Sequence, residues 1–412
     1  MSDGRSRLRS VVVVGASLAG IRAAEELRHQ GYDGSLTVVG EESHAPYDRP
    51  PLSKQLLSGA WGMERLALPA VASDGGAGLD ITWRRGERAT ALDVAARTVT
   101  LSSGESLGYD GLVVATGAGA TRLPFGHDLD GVHTLRTLDD SLAIRSGLDA
   151  GPHRVVVIGA GFIGAEVAAT CRRRGLAVTL VEALPTPLGR VIGDEIGTVI
   201  GQVHADEGVD LRVGVGVAGI EGNGRVERVV LSDGTAIDAD VVVVGIGVRP
   251  ATGWLEDSGL TLDDGVVCDP TCLAAPGVVA AGDVARWTNP VFDASMRVEH
   301  WDNALDQGAH AARRLLADAA DPAAPGEPFA PVPWFWSDQY EHKVQMSGRT
   351  TLADRVEVVE GSFEERRFTA FYGRAGRLTG VLGLNRPRRV MQFRTRIGAG
   401  ISWDDAVTQI RG

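Results

Sequence analysis

Two glycine-rich turns carry the clearest chemistry in this chain. In Gly159-Ala160-Gly161-Phe162-Ile163-Gly164 the first glycine permits a tight turn. The second lets bare backbone approach a pyrophosphate, and the third lets a helix pack closely on a strand. A helix starting there offers unpaired N–H groups and partial positive charge to phosphates. Glu182 closes the next apolar run, where a carboxylate binds ribose hydroxyls and repels a 2′-phosphate. No arginine follows it before Arg190, so the pattern favours NADH over NADPH. The other turn, Gly15-Ala16-Ser17-Leu18-Ala19-Gly20, has Ser17 where a middle glycine is usual, and its small hydroxyl can itself reach a phosphate. Glu41 or Glu42 is its ribose ligand; local sequence does not choose between them. Asp283, after Gly282 at the end of the run Val278 to Ala281, either accepts hydroxyl hydrogen bonds or caps a helix. Two dinucleotide sites in one chain make sense for a bound flavin exchanging hydride with a diffusible nicotinamide.

The elements that must position these turns are also readable. Val11 to Val14 and Val155 to Ile158 are short β-branched runs, as buried parallel strands are. Helical spacing follows over Ile21 to Arg28 and Ala165 to Arg174, with stops at Gly31 and Gly175. Second strands follow at Ser35 to Val39 and Ala177 to Val181. Gly111 to Ala115 and Val241 to Gly245 are further buried strands that end in glycine turns. Asp321 to Pro333 reads as a linker. Beyond it, Phe363 to Tyr372 and Leu378 to Leu384 read as strands around a turn at Gly373 to Gly376. Ser402 caps a final helix to Gln409. The expected class is α/β, with two Rossmann-like dinucleotide-binding domains and a C-terminal α+β domain.

Composition narrows the function. At 412 residues, the chain exceeds one ordinary core. Its net charge of −12 argues against general nucleic-acid binding. Cys171, Cys268 and Cys272 form no C-x-x-C pair, and no zinc, haem or iron–sulfur ligand spacing is present. The polar start, Met1 to Ser10, precedes an apolar run too short for a signal or a membrane span, so a cytoplasmic protein is expected.

Further motifs resemble one family. They are Pro46-Tyr47-Asp48-Arg49-Pro50-Pro51-Leu52-Ser53-Lys54, Ala115-Thr116-Gly117-Ala118, Gly245-Ile246-Gly247-Val248-Arg249-Pro250 and Ala280-Ala281-Gly282-Asp283-Val284-Ala285. Glu299-His300-Trp301-Asp302-Asn303-Ala304 and Pro333-Trp334-Phe335-Trp336-Ser337-Asp338-Gln339-Tyr340 complete them. Together they resemble the FAD-dependent ferredoxin reductases of oxygenase and cytochrome P450 systems, within the glutathione-reductase-like flavoproteins. The resemblance implies a split FAD domain over residues 1–117 and 248–326, an NAD domain over 118–247 and a C-terminal domain over 327–412.

The resemblance also implies site residues. Asp283 would bind the flavin ribityl chain and Arg49 its phosphates. Ala89, Arg122, Thr116 and Gly117 would join the flavin site, with Trp301 at the pyrimidine edge. Phe162, Ile163, Arg190, Gly245, Ile246 and Gly247 would complete the NAD site. Lys54 and Glu166 would pair beside the flavin ring and nicotinamide, and Trp336 would lie by the ring on the way to the acceptor. Disulfide reductases of the superfamily use cysteines soon after the first ribose-binding strand. Here that stretch reads Ser43-His44-Ala45-Pro46-Tyr47-Asp48. The flavin itself must then release electrons, singly, to an iron–sulfur ferredoxin or a rubredoxin. Arg386, Arg388, Arg389, Arg394 and Arg396 would meet an acidic partner, unless they face acids of their own chain. The protein would be a monomer or weak dimer. Rival readings are an NADH oxidase or quinone-type reductase, and an NADH-sensing flavoprotein with an interaction role.

Overall fold

The computed structural model describes residues 8–72, 77–151, 154–351 and 353–412; the beginning of the polar start, residues 1–7, lies outside them. Two compact units are present. Unit 1 comprises residues 1–48, 66–119 and 249–333, and unit 2 comprises 49–65, 120–248 and 334–412. The class is α/β, as expected.

In unit 1, a six-stranded sheet runs in the order Leu273–Ala275, Val278–Ala280, Gly111–Val114, Ser10–Val14, Ser35–Gly40, Ile81–Arg85. All neighbours are parallel except the first pair. Its central strands are buried on both faces, which is why they read as unbroken valine and leucine. In unit 2, a five-stranded parallel sheet has the order Asp210–Val213, Ala177–Glu182, Arg154–Ile158, Val241–Val244, Val132–Thr134.

The two glycine turns are built alike. Gly15 donates to Val39 O at 2.8 Å, and Gly159 donates to Val181 O at 2.7 Å. Gly15 has φ +121° and Gly159 +97°. A Cβ at these positions would lie 2.0 Å from Ala115 O and 2.4 Å from Gly245 O, respectively. The strand after each crossing therefore closes onto the first glycine, and only that residue type leaves room.

Unit 2 also holds a three-stranded antiparallel sheet, Val217–Gly222, Val226–Leu231, Ala236–Asp238, and a five-stranded antiparallel sheet, in the order Trp334–Gln339, His342–Gly348, Arg377–Leu384, Arg367–Arg374, Arg355–Ser362. One face of the latter packs Phe335, Met346, Phe368 and Leu382 against Leu188, Ile192, Ile196 and Ile200 of the segment 120–248. The helix Pro387–Gly398 packs by the sheet, and Trp403–Arg411 ends the chain, with Ser402 Oγ accepting from Asp405 N at 3.1 Å. The loop 49–65 is tied into the same unit. Ser141 Oγ donates to Leu52 O at 2.7 Å, and Thr170 Oγ1 donates to Ser53 O at 2.8 Å.

Two details differ from the sequence expectation. The strand expected from Phe363 begins at Arg367, because Phe363 to Arg366 forms the preceding hairpin's turn, with Arg366 at φ +50°. The next turn centres on Ala375 and Gly376, at φ +50° and +75°, rather than starting at Gly373. Residues 321–333 carry no regular structure but are anchored. Trp287 Nε1 donates to Phe329 O at 3.0 Å, and Asn289 Nδ2 to Pro331 O at 2.8 Å.

Replacing Gly15 with Ala should cost at least about 3 kcal/mol in urea unfolding, through backbone overlap. Gly31→Ala, at φ +82° with nothing near its Cβ, should cost only about 1 kcal/mol. Equal costs would show that the contact with Ala115 does not constrain the turn.

Candidate functional site

The middle position of each turn separates folding from binding. Gly161 is the N-cap of the helix Phe162–Arg173, with φ −71°. A Cβ there would meet nothing nearer than Gly245 O at 4.0 Å. The fold does not require glycine at 161, so the open backbone is free for a phosphate, which is the fit a dinucleotide needs. Ser17 is the corresponding N-cap of Leu18–His29, at φ −98°, and its hydroxyl does not cap the helix.

Glu182 stands at the carboxyl edge of the second sheet. Its oxygens accept from Ala160 N at 2.7 Å and Leu184 N at 2.9 Å. A carboxylate has further lone pairs, so ribose hydroxyls remain possible partners. Arg190 is exposed nearby in the chain.

The same register in unit 1 places Gly40, not an acid, where Glu182 stands. A Cβ at Gly40 would lie 2.6 Å from the Ala16 methyl. The acids follow that position. Glu41 is largely exposed, 3.9 Å from Arg88, while Glu42 accepts a hydrogen bond from the Tyr47 hydroxyl.

Asp283 lies in a single 3₁₀ turn, Gly282–Val284, followed by the strand Ala285–Asn289, so it caps no α-helix. Gly282 N donates to Gln307 Oε1 at 2.9 Å, which pins this turn at the carboxyl end of Val278–Ala280. That strand adjoins Gly111–Val114, so Asp283 shares the sheet's carboxyl edge with the Gly15 turn and Ala115 to Gly117. Trp301 also belongs to unit 1, and its indole N–H donates to Asp48 Oδ1 at 2.7 Å. Ala89 is buried in the strand Ala89–Asp93.

In unit 2, Glu166 is a hub. Its side chain is 3% exposed. Oε2 accepts from Lys54 Nζ at 2.7 Å and from Ser53 Oγ at 2.5 Å, while Oε1 accepts from Ser337 Oγ at 2.8 Å. The expected Lys54–Glu166 pair is therefore formed. Ser53 and Ser337 had no assigned role in the sequence. The signal for Ser337 was strand alternation, which sends it to the face opposite Trp336. Trp336 stacks on Trp334, with ring centroids 5.0 Å apart and planes at 26°. Arg49 donates to Arg136 O at 2.6 Å. Arg122 lines a cavity of about 120 Å³ with Phe125, His133 and Asp140.

The cysteines are all free and buried. Burial pushes the Cys171 and Cys268 thiols up to about 12, and Cys272 well above its ordinary value. None is a thiolate nucleophile at neutral pH. Among the described residues no group of His, Cys, Asp and Glu could hold a metal, and no helix is long and apolar enough to cross a membrane.

The arginine cluster is partly neutralised. Arg389 donates to Glu360 Oε1 at 3.2 Å, and Arg386 lies 3.9 Å from the same oxygen. Burial works against the Glu360 charge, but Arg389 and Arg386 outweigh it and hold this carboxyl below its ordinary value. Arg388 and Arg396 are exposed, and Arg394 is half-buried.

A family model described as pyridine nucleotide-disulphide oxidoreductase matches residues 9–308, and one described as reductase C-terminal matches 334–409. The chain is 40% identical to rhodocoxin reductase of Rhodococcus erythropolis over 390 residues, covering 93% of this chain and 88% of that one. It is 38% identical to the ferredoxin–NAD(+) reductase component of the biphenyl dioxygenase system of Paraburkholderia xenovorans over 350 residues, covering 82% and 81%. The crystal structure of the covalent putidaredoxin reductase–putidaredoxin complex superimposes with a TM-score of 0.90 at 35% identity, covering 96% of this chain and 94% of that one.

Gly161→Ala should leave the thermal midpoint within about 2 °C of the parent, because space exists for the methyl. It should raise the dissociation constant for NAD⁺ about tenfold or more, measured by calorimetry, because the methyl blocks the pyrophosphate. Unchanged affinity would remove this turn from the nucleotide site.

Proposed function

The chain belongs to the pyridine nucleotide-disulphide oxidoreductase family, and we propose that it is an FAD-containing, NADH-dependent reductase of a small 2Fe–2S ferredoxin or rubredoxin, serving a cytochrome P450 or ring-hydroxylating oxygenase. The observation that carries this reading is the pairing of two nucleotide-binding turns with three cysteines that are all buried and protonated. Electrons that enter have no thiol through which to leave. FAD, when bound, would supply two-electron acceptance from NADH and one-electron release, which suits an iron–sulfur acceptor.

The chain's own residues have distinct tasks in this reading. The Gly15 turn and Ser17 receive the FAD phosphates. Asp283 accepts from the ribityl hydroxyls. Glu41, largely exposed and next after Gly40, which occupies the place of Glu182, takes the ribose. Gly159, Gly161 and Gly164 receive the NADH pyrophosphate. Glu182 takes its ribose and disfavours a 2′-phosphate. Glu166, two residues past Gly164, seats the nicotinamide end, and it holds the Lys54 ammonium in place. The acceptor docks on the C-terminal segment through the exposed Arg388 and Arg396, because Arg386 and Arg389 are committed to Glu360. We place the reaction in the cytoplasm, where NADH is supplied and thiols stay reduced.

Three measurements test the reading. The purified flavoprotein should reduce a 2Fe–2S ferredoxin with NADH much faster than it reduces oxygen; fast oxygen consumption with no ferredoxin reduction would replace the reading with an oxidase. Glu182→Arg should move the ratio of kcat/KM values toward NADPH by about tenfold or more, and an unmoved ratio would refute the role given to Glu182. Arg388→Gln with Arg396→Gln should raise the KM for ferredoxin about threefold at low salt and leave dye reduction intact. Equal loss with dyes would sink the docking assignment.

A further inference from the structure

A chain of buried hydrogen bonds reaches Glu166 from the far side of unit 2. Tyr340 OH lies 3.0 Å from His204 Nδ1, and His204 Nε2 lies 3.1 Å from Gln339 Oε1. Gln339 Nε2 donates to Ser337 Oγ at 3.3 Å, and Ser337 Oγ donates to Glu166 Oε1 at 2.8 Å. His204 and Ser337 are fully buried, and Gln339 is 1% exposed. Ser337 and Gln339 lie two apart on the strand Trp334–Gln339, hence on one face, while His204 comes from the helix Asp194–Asp206.

The direction of the chain is fixed from its end. A carboxylate only accepts, so Ser337 must spend its single proton on Glu166. Ser337 can then only accept from Gln339, which must present its amide nitrogen. The Gln339 oxygen therefore faces His204, so Nε2 of the ring carries the proton. Burial lowers the His204 pKa to about 4, so at neutral pH its Nδ1 accepts from the Tyr340 hydroxyl. Every donor points toward Glu166. In a dry interior such aligned bonds polarise one another and resist rotation of any single group.

We propose that Ser337, Gln339 and His204 are positioning residues for Glu166: a one-way hydrogen-bond chain holds one carboxylate oxygen and leaves the other to Lys54 and Ser53. This rests on the assignment of Glu166 to the nicotinamide end of the NADH site. The chain couples the packing of the C-terminal sheet to nucleotide affinity without any of its members touching the nucleotide.

The test uses the holoprotein and the NAD⁺ dissociation constant from calorimetry, beside steady-state KM and kcat. Ser337→Ala should raise that constant and the KM for NADH about fivefold, as expected when a bond to a charged group is lost and partly relayed. The change in kcat should stay within about twofold. Ser337→Thr, which keeps the hydroxyl, should restore affinity to within about twofold. Gln339→Met should raise the constant about threefold alone, and nothing further in the Ser337→Ala background, because the two act in series. Multiplying effects in the double variant, or an unchanged constant in Ser337→Ala, would overturn the chain. Should Ser337→Ala not fold, Gln339→Met decides by itself, since an unchanged constant there is equally fatal. Glu166→Gln separates the two levels. If it leaves the constant unchanged, the assignment of Glu166 has failed; if it raises the constant while Ser337→Ala does not, the positioning chain alone has failed.

Discussion

One buried carboxylate organises unit 2. Glu166 receives a lysine and a serine from the loop 49–65 and another serine from the strand Trp334–Gln339. These segments are far apart in sequence, and each supplies only donors. A charge withdrawn from water this completely is tolerable only when its lone pairs are filled and a counter-charge is close. Loss of either Lys54 or Glu166 would leave the other uncompensated, at a cost on the order of 3–5 kcal/mol. The loop, the helix Phe162–Arg173 and the C-terminal sheet are thus held to one geometry by a single anion.

That constraint explains why the Gly159 turn can be so sparsely built. Its glycines shape the backbone, and Glu182 steadies it through Ala160 N. The helix that begins there carries Glu166 on its buried side, so the positions of the glycine turn and of the hub are set by one rigid element. Phe162 adds an apolar anchor, with its ring 4.4 Å from Phe335 in an edge arrangement.

Much of this was legible in the sequence, for identifiable reasons. Val11 to Val14 and Val155 to Ile158 announce buried parallel strands because both faces exclude water. Gly15 and Gly159 announce turns because no other residue type fits against the crossing strand. The Lys54–Glu166 pair was expected only through family resemblance, since nothing local joins residues so far apart. Local sequence does not choose between Glu41 and Glu42 because both follow the strand, whose register puts Gly40 at the counterpart of Glu182. The arginine cluster looked uniform until the strand Arg355–Ser362 brought Glu360 against two of its members. Strand alternation gives Ser337 a face opposite Trp336, but not the Glu166 carboxylate that it meets there.

The burial of all three thiols bears on how such a protein survives its own work. Electron carriers that meet oxygen leak, and the product is peroxide. Peroxide attacks thiolates far faster than thiols. Cys171, Cys268 and Cys272 sit in apolar surroundings that keep them protonated, so they offer peroxide little to attack. A catalyst that keeps no thiol at its surface denies stray peroxide its fastest target, and the exposed thioethers of Met63 and Met391 are left as the slower ones.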